Sequence, residues 1–135
     1  MRPERTPTEQ RKRPDRGAAV VEFTLVTVVL VALFLAILQL ALALYVRNTL
    51  IAAAAEGARY AANADRDLPD GEARTRELVS TSLGERFAGD IRAGRSVVGG
   101  VPTVVLEVRA TLPLVGLAGP ARALVVRGHA FDEEG

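Results

Sequence analysis

Phe23–Val46 reads FTLVTVVLVALFLAILQLALALYV, 24 residues without a formal charge, and this stretch decides the architecture. At about 1.5 Å rise per residue it makes a helix of roughly 36 Å, longer than the ~30 Å hydrocarbon core of a bilayer. It therefore predicts one full membrane crossing with some tilt. The remainder of the 135-residue chain has room for one small domain and no second crossing.

Charge is distributed unevenly on the two sides of that run. Residues 1 to 17 hold Arg2, Arg5, Arg11, Lys12, Arg13 and Arg16 against Glu4, Glu9 and Asp15, although the whole chain nets only +1. Under the positive-inside rule this basic cluster stays cytoplasmic, and the chain from about Arg47 onward faces the other side. Residues 1 to 16 are polar, proline-rich and without apolar periodicity, so they are expected to be a disordered leader. The chain divides on this reading into a leader over 1–17, a transmembrane and extended helix over 18–63, and a small extracytoplasmic domain over 64–135. With no cysteine, disulfides, thiol catalysis and thiolate-bound metal are excluded.

After Ala18 the next glycine is Gly57 and the next proline Pro69, so a single helix is predicted from about Ala18 to Asn63, projecting past the membrane through Ala52–Glu56. Leu68-Pro69-Asp70-Gly71 interrupts it. Asp70 is expected to cap a second, amphipathic helix that carries Ala73, Leu78, Val79, Leu83 and Phe87 toward one side. Beyond Gly89 the period changes to two: Val104, Leu106, Val108 and Ala110 alternate with Val105, Glu107, Arg109 and Thr111. A short Ser96–Val98 strand before a Gly99-Gly100 turn, and a last strand over Ala123–Phe131 after a Gly116–Pro120 turn, complete the expectation. The predicted class is α+β: a long N-terminal transmembrane helix, a second helix and an antiparallel sheet of about three strands.

Glu22 is the residue that demands an explanation, because a carboxylate at the mouth of an apolar helix is costly unless something neutralises it. Cleavage after Gly17 would give Ala18 a new α-amino group one turn away, and the same amine on a neighbouring subunit would serve equally well. The plainer alternative is an interfacial carboxylate that favours the helix N-terminus of an ordinary signal anchor. Further along, Ala32, Ala36, Gln39 and Ala43 fall on one stripe, which suits close helix packing, or reflects only the abundance of alanine. Thr24 and Thr27 read as hydroxyls bonded back to their own helix.

Little in the chain suggests chemistry. His129 is the only histidine and Ser80, Ser82 and Ser96 lack any other base, so no catalytic triad and no metal site is expected. No phosphate-cradling loop and no aromatic-basic platform is present, so no cofactor and no nucleic-acid partner is expected.

Gly17-Ala-Ala-Val-Val-Glu22-Phe23-Thr-Leu-Val, the apolar span, and Ala54-Ala55-Glu56-Gly57-Ala58-Arg59-Tyr60-Ala61 together resemble the TadE-like proteins, small pseudopilins of the tight-adherence (Flp) pilus system. The likeness covers about Gly17 to Ala62 and extends more weakly to Val126-Arg127-Gly128-His129-Ala130. It implies a bacterial cell-membrane protein, cut by a prepilin-type peptidase between Gly17 and Ala18, with Glu22 and Phe23 near the new N-terminus. Implied partners are the membrane, that peptidase, and other pilins and tight-adherence assembly proteins. Many relatives carry a proline soon after the Glu-Phe pair where this chain has Val28, so no proline kink is expected there. Two other readings stay open: an exported binding domain on an uncleaved signal anchor, and a soluble protein over 44–135 released by a signal-peptidase cut after Ala41-Leu42-Ala43.

Overall fold

The computed structural model describes Met1, residues 16–112 and residues 123–132. The expected leader and the Gly116–Pro120 turn lie outside the described residues. Two compact units divide the chain, Met1–Ile37 and Leu38–Gly135, and we call the second the head.

Helix α1 runs Arg16–Ala62, close to the predicted bounds. From Gly17 to Leu38 every side chain is exposed. Thr24 Oγ1 donates to Val20 O and Thr27 Oγ1 to Phe23 O, both at 2.8 Å, so the two hydroxyls are satisfied within the helix as expected. From Val46 the same helix becomes part of the head's core, burying Val46, Leu50, Ala53, Ala54, Ala58 and Ala61. The helix continues through the alanine run as expected, and that run is also a packing surface, made of residues small enough to bring other elements close to the helix axis.

Helix α2 spans Leu68–Leu83, and its start corrects the sequence reading. Asp67, not Asp70, is the N-cap: its side chain accepts from Asp70 N at 3.1 Å, while Asp70 Oδ2 accepts from Asp67 N at 3.2 Å. Pro69 fits the first turn because its missing N–H needs no partner there, so Leu68-Pro69 opens a helix rather than merely interrupting one. Gly71, Thr75 and Val79 face inward, whereas Ala73, expected on that side, is exposed. Phe87 is buried as anticipated but not from the helix. Gly84, at φ 100°, turns the chain into a short 3-10 turn over Glu85–Phe87 that delivers the ring to the core.

Three antiparallel strands follow in the order β1 (Asp90–Val98), β2 (Val101–Thr111) and β3 (Ala123–Phe131). β1 is longer than the expected Ser96–Val98 piece, and Gly99 and Gly100, at φ 61° and 85°, close the β1–β2 hairpin in the left-handed region that glycine adopts freely. The register sets Ala93, Leu106 and Gly128 side by side on the inner face, so the fully buried Leu106 sits between two small neighbours. Val104, Val108, Ala110 and Val126 complete that face. At the outer edge of β1, Glu72 accepts from Ala93 N at 2.7 Å, which occupies a donor that an unprotected edge would offer to another strand.

Candidate functional site

Gly17 and Ala18 lie near the start of the described part of α1. Both are exposed, and a Cβ on Gly17 would meet nothing within 4 Å. Glu22 and Phe23 are exposed one turn further on, and among the described residues Glu22 makes no ion pair.

The small-residue stripe does not have one environment. Ala32 and Ala36 are exposed, while Gln39 and Ala43 are half-buried and line a cavity of about 250 Å³ within the head. That cavity borrows Ser82, Leu83, Arg86 and Phe87 from the end of α2 and the turn after it, and Leu112 from the end of β2. None of these was singled out as a site in the sequence, since their meeting depends on the Gly84 turn. The Ala41-Leu42-Ala43 triplet is helical, and a cut after it would remove Gln39, Leu42 and Ala43 from the lining of the cavity.

The head is assembled on three glycines. A Cβ on Gly57 would strike Thr75 Oγ1 and come 2.8 Å from Gly71 O. One on Gly71 would lie 2.6 Å from Ala61 Cβ and 2.7 Å from Gly57 O, so α1 and α2 touch backbone to backbone. Thr75, fully buried, lies across this crossing and donates to Gly71 O at 2.9 Å, with Ala53 O at 3.5 Å. Gly128 of β3 rests directly on the backbone of Ala54 and Ala55. The Ala54–Ala61 and Val126–Ala130 stretches, far apart in sequence, are thus two sides of one contact.

Residues 17–59 match the family model of the TadE-like proteins. The chain carries a TadE-like segment. It begins at the glycine before the expected cut, runs through the charge-free stretch, and ends among the residues that α2 and β3 pack against. All of the TadE-like segment lies on α1, which is long and apolar enough to cross a membrane. The Val126–Ala130 stretch falls outside the match. No curated protein and no solved structure matches the chain.

The outer face of the sheet is polar. Glu107 accepts from Arg109 Nε at 2.7 Å and from Arg127 Nε at 2.8 Å. Its hydrogen bond from Arg109, and then that from Arg127, hold its carboxyl below the usual glutamate value, while Glu107 raises that of Arg109 in turn. His129, on the same face opposite Val105, is exposed.

Proposed function

We propose that this protein is a minor pilin or pseudopilin, a structural or assembly component of a tight-adherence (Flp, type IV-like) pilus rather than an enzyme. A prepilin-type peptidase cuts it between Gly17 and Ala18 on the cytoplasmic side, and α1 anchors it by one crossing with the head outside. The observation that carries this reading is the TadE-like match beginning at Gly17, with an exposed Glu22 on an apolar helix and no ion-pair partner for it among the described residues. Cleavage supplies that partner. The Ala18 amine then lies four residues before Glu22 on its own helix, or reaches the Glu22 of a neighbour in an array. The exposed Ala32 and Ala36 suit such an array, since small side chains let helices approach within a membrane.

The test is the first residue of the protein purified from the membrane of piliated cells. Ala18 is the expected result, and Gly17→Leu should leave the longer chain uncut. An intact leader in functional, piliated cells would sink the proposal in favour of a plain signal anchor, and a chain starting at Leu44 would sink it in favour of a secreted protein.

A further inference from the structure

The cavity in the head has a largely apolar interior and one arginine, Arg86, on its rim. Leu42, Ala43 and Val46 of α1 form one wall, and Leu83, Phe87 and Leu112 form the other, enclosing about 250 Å³. Leu42, Ala43 and Val46 belong to the last five residues of the charge-free run. A bilayer's hydrocarbon core takes about 20 helical residues, and counted from Phe23 these end at Leu42. The α1 wall therefore falls at the boundary between acyl chains and headgroups, on the side away from the leader.

The arginines of the head divide into those with an acidic partner and those, Arg47, Arg66, Arg76 and Arg86, with no ion pair among the described residues. Arg59, Arg74, Arg92, Arg95, Arg109 and Arg127 each make an ion pair. Arg47, immediately after the run, and Arg86, on the cavity rim with its guanidinium 4.8 Å over the Phe87 ring, make none among the described residues. An apolar cleft at acyl depth with exposed guanidinium charge beside it is complementary to a molecule with a hydrocarbon chain and a phosphate. We infer that the cavity holds an acyl segment of a phospholipid from that leaflet, its phosphate on Arg86 and Arg47. The inference rests on the membrane-anchored reading above and adds to it a lipid that ties the head to the bilayer surface.

The test uses the full chain in nanodiscs of phosphatidylcholine and phosphatidylglycerol containing a phosphatidylglycerol with a photoactivatable diazirine on its acyl chain. After irradiation, label is expected on the head, at Leu83, Phe87 or Leu112, as well as along Leu30–Leu35 of the span. Ala43→Phe, which fills the cavity from α1, should abolish the head label and leave the span label. Arg86→Glu should lower the head label at least about fivefold, the factor that one arginine contributes at an anionic lipid surface, while Arg86→Lys retains it. A labelled span with an unlabelled head, or a head label undiminished by Ala43→Phe, overturns the inference alone. An unlabelled span overturns the anchor reading and the inference with it.

Discussion

Replacing Gly128 with alanine tests the packing on which the head depends. The new Cβ would fall on the backbone of Ala54 and Ala55, with Ala54 O at 2.5 Å, and backbone in mid-helix has no rotamer with which to step aside. Ordinary contact requires 3.4 Å or more, so β3 and α1 must separate by about 1 Å at that point. A gap of about 0.5–1 Å forfeits a quarter to a half of the dispersion energy of each atom pair across it, and Leu106 and Val126 are next to the opening. Overpacked cores typically lose about 1–3 kcal/mol, and a rigid obstacle puts this substitution at about 3. At roughly 4–8 °C per kcal/mol for a domain of this size, the melting temperature should fall by roughly 12–24 °C.

The assay is thermal unfolding of the full chain in detergent micelles, followed by circular dichroism. Gly94→Ala is the control: it lies in the same sheet, a Cβ there meets nothing within 4 Å, and its φ is not in the left-handed region. That change should be neutral or stabilising by up to about 1 kcal/mol, through loss of freedom in the unfolded chain. Equal melting temperatures for the two variants would refute the claim that β3 sits on the α1 backbone.

Other expectations follow from single contacts. Asp67→Ala removes the capping box of α2 and should cost about 1 kcal/mol, read as a melting temperature roughly 4–8 °C lower; no change would mean the cap is not formed in solution. Glu107 has its folded pKa depressed by Arg109 and Arg127, so its stabilising contribution is present above the ordinary carboxylate value of 4.5 and is lost as the pH falls toward the depressed one. Glu107→Gln should therefore flatten the decline of melting temperature with acidification below pH 4.5, and an unaltered slope would count against the pairing. Glu22→Ala should leave membrane insertion intact, checked by extraction, and reduce surface pili seen by electron microscopy; normal piliation would remove the charge-pairing role from Glu22.

What was legible in the sequence was what local pattern dictates. The long helix, the inward alternation of Val104, Leu106, Val108 and Ala110, and the Gly99-Gly100 hairpin all appear where periodicity and glycine placed them. The first half of β1 did not show itself, because Arg92, Gly94 and Arg95 leave only Ile91 and Ala93 to mark an inner face. The cap of α2 was misplaced by three residues, since Asp67 and Asp70 both stand beside Pro69 and only the reciprocal hydrogen bonds tell which one leads. Spacing places Ala73 on the same side as Leu78, Val79 and Leu83, but an alanine suits either face of a helix and this one is exposed.

A count of uncharged residues and the position of the arginines were enough to predict a membrane-length helix behind a basic leader, because transfer into hydrocarbon depends on each side chain's own polarity. The roles of Gly57, Gly71 and Gly128, and the union of Leu83, Arg86, Phe87 and Leu112 with the end of the apolar run, were decided by the tertiary structure alone. A glycine or alanine has no side chain with which to announce its partner. Its value is the space it leaves, and only the element folded against it determines whether that space is a tight contact or a cavity.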